Sequence, residues 1–105
     1  METQYLFNSQ GQWIAFRLGS YVFNTEGKWI GWLPWSEPDV MDVSGNYLGT
    51  IYPGNRFYRK AIHPHSGYPG YPGYPHHPGY PGYPGYSGHS PLPPGVEDLQ
   101  DLQAV

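Results

Sequence analysis

The chain contains no cysteine, little charge and no long apolar run, and each absence excludes a class of protein. Without thiols, no disulfide can stabilise a small domain, and the redox state of the compartment stays open. Five Lys and Arg against eight Asp and Glu give a formal net charge of −3 and no basic stripe for nucleic acid. No apolar stretch approaches the roughly 20 residues of a membrane-spanning helix, and residues 1–4 do not begin a signal peptide. We expect a soluble, cytoplasmic protein with no membrane span and no nucleic-acid partner.

Residues 1–60 offer few candidates for catalysis. Histidine is absent there, so the serines and threonines have no candidate base. The carboxylates of Glu26 and Asp42 lie on or beside turns, and Glu37 and Asp39 have no acid/base partner. No glycine-rich phosphate loop opens a helix, because no helix is indicated. We therefore predict that the protein is not an enzyme and uses no cofactor.

The composition changes sharply near Ala61 and divides the chain into three segments. Residues 1–60 hold all four Trp and all four Phe, whereas the remainder holds all five His and all but three of the 13 Pro. We predict a folded domain over 1–60, a low-complexity Tyr-Pro-Gly/His linker or tail over 61–95, and a short acidic segment over 96–105. The acidic segment is either a frayed end or a short helix formed on a partner.

One sequence pattern occurs three times in the predicted domain, over 5–15, 21–31 and 39–49. Each copy has Asn or Asp at the first position of a turn and Gly at the fourth: Asn8 and Gly11, Asn24 and Gly27, Asp42 and Gly45. The Asn or Asp side chain bonds nearby backbone, and Gly accepts the left-handed conformation. A type I turn followed by such a Gly forms a bulged hairpin loop. The pattern therefore predicts three β-hairpins.

The hairpins should have one aliphatic and one aromatic face, because strand side chains alternate. If Asn8 faces Gln12, alternation pairs Leu6 with Ile14. The corresponding aliphatic pairs, which we predict form the core, are Leu6/Ile14, Val22/Ile30 and Val40/Leu48. The aromatic face either closes the gaps between neighbouring hairpins or binds a ligand. The candidate binding aromatics are Trp13, Trp29, Tyr47 and Trp35, the last on a loop between two prolines.

A fourth copy begins and then stops. Phe57 continues the core series Leu6, Val22 and Val40 at a nearly constant interval. Arg59 and Lys60 then stand where the turn should be. The missing strand comes from other residues, such as 61–62 or the N-terminus, or else the edge strand stays open and pairs with another protein or a second copy. The sequence therefore predicts an all-β, pseudo-symmetric array of three hairpins and a partial fourth.

The three turns, their flanking strands and the Tyr-Pro-Gly tail resemble the bacterial family called the four-fold beta flower proteins. In that family four β-hairpins are arranged as petals around a pseudo-four-fold axis, and a Pro/Gly-rich C-terminal segment is common. The resemblance covers about residues 1–60 and extends loosely into the tail. It implies a ring of four hairpins. The family has no activity to carry over, so the resemblance implies nothing about function.

In the tail, glycine recurs every third residue, at 67, 70, 73, 79, 82, 85 and 88, mostly after Tyr-Pro. Collagen shares this period, but the tract is short and His76 interrupts it. We predict a disordered tail with polyproline II character, in which spaced tyrosines bind a partner multivalently. Weak candidates for metal binding are His63, His65, His76, His77 and His89. A disordered tail offers imidazoles no fixed geometry, so we expect no specific metal site.

These features favour a non-enzymatic structural or protein-interaction module of unknown biological role, with a rigid β domain and a flexible multivalent tail. The partner would be a protein bound through the tail or an open edge strand, or a second copy. The alternative is a glycan- or cell-wall-binding module that uses the hairpin aromatics, because Gly-x-Trp hairpin repeats in choline-binding proteins place aromatics in shallow sites. Burial of the Trp rings would weaken the alternative, and a shared aromatic groove would support it.

Overall fold

The computed structural model describes residues 3–35, 38–42, 44–62, 73 and 81–99. These residues form one antiparallel sheet whose strands follow chain order. The strands are β1 (Thr3–Phe7), β2 (Trp13–Leu18), β3 (Tyr21–Asn24), β4 (Trp29–Trp32), β5 (Asp39–Met41), β6 (Tyr47–Tyr52), β7 (Arg56–Lys60) and β8 (Val96–Asp98). A parallel contact between β1 and β7 closes the sheet into a barrel. In the described part of the chain, no helix has the length and hydrophobicity to span a bilayer.

The three predicted hairpins are confirmed, and the turn residues explain why they form. In the first turn the Asn8 carbonyl accepts from the Gly11 amide at 3.1 Å. The Asn8 side-chain oxygen also accepts from the amides of Gln10 and Gln12, at 3.0 and 2.9 Å. Equivalent contacts recur in the turns that begin at Asn24 and Asp42. The turn glycines have φ between 81° and 87°, which an L side chain rarely adopts.

The predicted pairing of Leu6 with Ile14 is wrong by one residue, because each hairpin contains a β-bulge after its turn. Phe7 pairs with Trp13 as expected, but Leu6 pairs with Ala15, so Ile14 is an extra residue. The same shift places Gly31 opposite Val22 and Gly49 opposite Val40. A bulge places two residues opposite one and increases the local twist. Alternation alone could not reveal the extra residue.

The aliphatic core is confirmed despite the shifted register. Leu6, Val22 and Val40 are fully buried, and Phe57 joins them as predicted for the fourth copy. The bulged Ile14 and Leu48 pack against this cluster. Small residues are required beside it. A Cβ on Gly31 would lie 2.7 Å from the Met41 carbonyl oxygen.

The fourth hairpin is completed by β8, a strand that we did not predict. β8 pairs antiparallel with β7, with Tyr58 opposite Asp98 and Lys60 opposite Val96. Ala61 donates to the Gly95 carbonyl at 2.8 Å, so the pairing extends one residue beyond the strands. Leu99 follows β8 and packs on the core beside Ile14 and Leu48. Residues 61–62 therefore do not supply the missing strand, whereas the N-terminal strand β1 does contact β7, through Phe7 and Arg56.

Part of the tail is described, and its backbone differs from the predicted conformation. Gly82 and Gly85, which follow Pro81 and Pro84, have φ of 91° and 95°. Polyproline II requires φ near about −75°, so that expectation is wrong for these residues. Pro at the second position and a left-handed Gly at the third are typical of type II turns. The rest of the tail that we predicted to be disordered, over 63–72 and 74–80, lies outside the described residues, as do 100–105.

Candidate interaction surface

An aromatic cluster fills the gap between the first two hairpins. Phe16 on β2 pairs with Phe23 on β3, and their rings stack with centroids 5.3 Å apart. Trp29 is buried against them, and Tyr5, Trp13, Leu18 and Tyr21 surround them. Aromatic pairs contribute beyond the area they bury, so these rings hold neighbouring hairpins together. Between these two hairpins the aromatic face therefore has the first of its two expected roles.

The four candidate binding aromatics differ in exposure. Trp29 and Tyr47 are 4% and 7% exposed, whereas Trp13 and Trp35 are half-buried. The indole N–H groups of Trp13 and Trp29 donate to the carbonyls of Ala15 and Gly31, at 2.7 and 2.8 Å. These internal bonds fix the orientation of both rings. Trp13 and Trp29 belong to the cluster between the first hairpins, and Tyr47 lies on the third.

Tyr47 belongs to a buried polar chain that joins the third hairpin to β7. The Thr50 hydroxyl donates to the Asp39 carboxylate at 2.7 Å and lies 2.6 Å from the Tyr47 hydroxyl. The Lys60 amide donates to the Tyr47 hydroxyl at 3.0 Å, and the Lys60 ammonium lies 3.7 Å from Asp39. Thr50 is 3% exposed, so these hydrogen bonds are buried and stabilise the fold rather than bind a ligand.

Replacing Thr50 by Val should destabilise the protein by about 2 kcal/mol, because it removes a donor from the buried carboxylate of Asp39. The shape of the side chain is nearly unchanged, so packing contributes little to the difference. Urea denaturation followed by Trp fluorescence measures the free energy of unfolding. Thr25→Val is the matched control, since Thr25 lies half-exposed in a turn and should change stability by about 0.5 kcal/mol or less. Equal effects of the two substitutions would contradict the role of the buried chain.

The described tail lies against the first hairpin. The Ser87 amide donates to the Gly11 carbonyl at 2.9 Å, and the Ser90 amide to the Ser9 carbonyl at 2.7 Å. A Cβ on Gly11 would lie 2.5 Å from the Gly88 carbonyl oxygen, so the two backbones are in close contact. The first turn thus holds the tail through its backbone.

Side chains of the barrel make further contacts with the tail. The Tyr5 hydroxyl donates to the Pro81 carbonyl at 3.0 Å, and the Trp13 ring lies 6.0 Å from the Tyr83 ring. Arg56 donates to the carbonyls of Asn8 and Ser87, at 2.8 and 3.3 Å. We name these residues the tail-binding face: Tyr5, Ser9, Gly11, Trp13 and Arg56.

The first turn also anchors β8. One carboxylate oxygen of Asp98 accepts from the Ser9 amide at 2.8 Å, and the other lies 2.5 Å from the Ser9 hydroxyl. Hydrogen bonds to an ionised carboxylate are roughly twice as strong as neutral ones. Ser9 is 7% exposed, which protects both bonds from water. The first turn therefore holds the tail through backbone bonds to Ser87 and Ser90, and holds β8 through Asp98.

The attached tail exposes several large apolar side chains. Tyr83, Tyr86 and Leu92 are 68%, 67% and 40% exposed, and His89 is exposed between them. These four residues recur at intervals of three. We name them the tail stripe. Exposed apolar side chains held on a fixed backbone are the feature of this molecule that best fits a partner.

Metal binding has no visible site in the parts of the chain that are described, where no group of three His, Asp or Glu converges. His63, His65, His76 and His77 lie outside the described residues, and His89 is exposed on the tail.

A cleft lies beside the connection from β2 to β3 and the loop after β4. This cleft of about 510 Å³ is lined by Leu18, Gly19, Ser20, Tyr21, Trp32, Leu33 and Pro34. The indole nitrogen of Trp32 is buried and has no hydrogen-bond partner among the described residues.

Sequence reasoning missed Tyr5, Ser9, Arg56 and Asp98 as contact residues. Their roles depend on a tail that returns to the first hairpin, and no local pattern encodes that return. Comparison with family models, curated proteins and solved structures found no match.

Proposed function

We propose that the protein is a non-enzymatic structural or protein-interaction module, in which the barrel holds a Tyr/Pro/Gly segment in place for a protein partner. The observation that carries this proposal is the tail stripe. Two tyrosines are about two-thirds exposed and a leucine is 40% exposed on a segment whose backbone is hydrogen-bonded to the first hairpin. A pre-ordered segment loses less conformational entropy on binding than a free chain does. The resemblance to four-fold beta flower proteins is compatible with this role.

The fixed backbone changes how multivalency would operate. Each exposed Tyr contributes a weak contact, and a partner that engages several gains from the effective concentration of the others. The three-residue spacing presents these side chains to the partner at regular intervals. A partner with aromatic or Arg side chains suits the tail stripe, because both kinds of side chain stack on tyrosine rings.

The test compares partner capture by the full-length protein and two variants. Tyr83→Ala with Tyr86→Ala removes most of the tail stripe, and capture should fall at least about tenfold. Ile62→Ala is the matched control, since Ile62 is 87% exposed but lies outside the stripe. Quantitative mass spectrometry of crosslinked partners measures capture, and circular dichroism verifies the fold. Equal capture by all three proteins would refute the proposal.

A glycan-binding function is the second candidate, and the cleft favours it more than the predicted aromatics do. Trp29 and Tyr47 are buried, whereas Tyr21 and Trp32 line an open cleft. Small-molecule sites are typically clefts lined by apolar and aromatic side chains with a few polar groups. Titration with soluble cell-wall oligosaccharides, followed by Trp fluorescence, tests this candidate. A response lost in Trp32→Phe would support it, and no response to any oligosaccharide would exclude it.

A further inference from the structure

The tail contains the same hexapeptide twice. Tyr-Pro-Gly-Tyr-Pro-Gly occurs over 68–73 and again over 80–85. The second copy contacts the tail-binding face through the Pro81 carbonyl and the Tyr83 ring. The first copy has a Pro carbonyl and a Tyr ring at the same two positions, Pro69 and Tyr71. The chain therefore carries two chemically identical segments, and the second of them contacts this face.

Residues 81–85, the described part of this hexapeptide, are held loosely at the face. Tyr83 keeps 68% of its surface exposed although it contacts Trp13. Among the described residues, one hydrogen bond joins 81–85 to the hairpin, from the Tyr5 hydroxyl to Pro81. The closer attachments lie further along the chain, at Ser87, Ser90 and Asp98. Residues 81–85 can therefore leave the face while Ser87, Ser90 and Asp98 stay bound.

We propose that the tail-binding face accepts residues 68–73 of a second copy of this chain, in exchange for residues 80–85 of its own. The inference rests on the proposed function and names the partner of one surface. In such a pair each chain gives a hexapeptide and receives one. The contacts made by Tyr5 and Trp13 are the same whichever chain supplies the Pro carbonyl and the Tyr ring.

Competition within the chain sets the strength of this association. The chain's own segment is tethered, and its effective concentration is of millimolar order. A second copy with an identical ligand therefore displaces it by half only near about 1 mM protein. This value places self-association at high local concentration, such as on a surface crowded with the protein.

The identical hexapeptides give the two equivalent tyrosines opposite roles. Tyr71→Ala damages the segment that binds the other copy, so self-association should weaken about fivefold or more. Tyr83→Ala damages the chain's own competitor, so self-association should strengthen by about the same factor. Sedimentation equilibrium of the full-length proteins from about 10 µM to 2 mM measures both changes, a range chosen to bracket the millimolar effective concentration.

Two further variants complete the design. Tyr86→Ala is the matched control, because Tyr86 is equally exposed but lies outside both hexapeptides, and its association should equal that of the unaltered protein. Tyr5→Phe removes the hydroxyl donor and should weaken self-binding and second-copy binding together. The association midpoint should then stay within about twofold, because both competitors lose the same bond.

Changes of the same sign in Tyr71→Ala and Tyr83→Ala would overturn the proposal. The proposal would also be overturned if Tyr71→Ala changed the Trp fluorescence at every protein concentration but left the measured mass unchanged. That result would mean that residues 68–73 bind the face of their own chain. Partner capture is measured below about 10 µM, far under the millimolar range where copies exchange. If the tail-stripe variant loses partner capture but Tyr71→Ala and Tyr83→Ala leave self-association unchanged, only the exchange is rejected. If partner capture is unchanged but the two variants shift self-association in opposite directions, only the proposed function is rejected.

Discussion

Gly31→Ala should lower the free energy of unfolding by about 3 kcal/mol, among the largest effects of any single-methyl change in this protein. The added Cβ would lie 2.7 Å from the Met41 carbonyl oxygen and 3.0 Å from the Val40 side chain. Backbone cannot rotate away as a flexible side chain can, so β4 and β5 must separate. Urea denaturation of the full-length protein measures the loss as a shift in midpoint at unchanged slope.

Gly54→Ala separates steric conflict from backbone preference. Gly54 has φ of +84° with no atom within 4 Å of an added Cβ, so alanine there meets only the left-handed backbone. That conformation costs about 1 kcal/mol. The prediction for Gly31 is contradicted if the two substitutions cost the same. Ala15 occupies the corresponding place in the first hairpin and is fully buried, so the first hairpin accommodates a Cβ there. The third hairpin does not, because a Cβ on Gly49 would lie 2.8 Å from the Phe57 ring and 3.0 Å from the Tyr58 carbonyl oxygen.

Leu99→Ala should destabilise the protein by about 2 kcal/mol, because it removes the apolar side chain that packs on the core directly after β8. A Cβ on Gly49 would lie 3.1 Å from the Leu99 side chain. Leu99 packs against the buried cluster that contains Phe57. Amide hydrogen exchange should show the loss unevenly. Exchange at Val96–Asp98 should accelerate more than exchange in the first three hairpins, because β8 can detach without them.

Leu92→Ala provides the same chemical change at an exposed position. Leu92 is 40% exposed on the tail stripe, so its truncation should change stability by about 0.5 kcal/mol or less. If Leu99→Ala behaved like Leu92→Ala, β8 would contribute nothing to the core, and the fourth hairpin would be a surface attachment.

The turns could be predicted because their information is local. Asn8 and Gly11 lie close together in the sequence, and each acts through its own backbone and its nearest amides. The bulge could not be predicted from strict alternation, which allows no extra residue after the turn. A signal was present in the small residues Ala15, Gly31 and Gly49, which always follow the bulged position and face the crowded core.

β8 could not be predicted, because its partner lies far away in the sequence. Its short run Val96–Asp98, with two acidic residues, makes a weak strand signal, and residues 61–95 separate it from β7. Leu99 was the one recognisable element, since an aliphatic residue follows the paired position just as Ile14 follows Trp13. The candidate surface was missed for the same reason, because Ser9 and Asp98 are 89 residues apart and meet only after the tail returns.

The pairing of Lys60 with Val96 makes the intervening segment a loop whose two ends are fixed side by side. Loop-closure entropy grows only with the logarithm of length, so doubling such a loop costs about 0.6 kcal/mol. Tyr-Pro-Gly triplets that precede Pro81 could therefore be gained or lost in evolution at almost no cost to the barrel, whereas the residues from Pro81 to Ser90 contact the first hairpin. The number of Tyr-Pro-Gly triplets before Pro81 can therefore vary, whereas the barrel that displays the tail cannot.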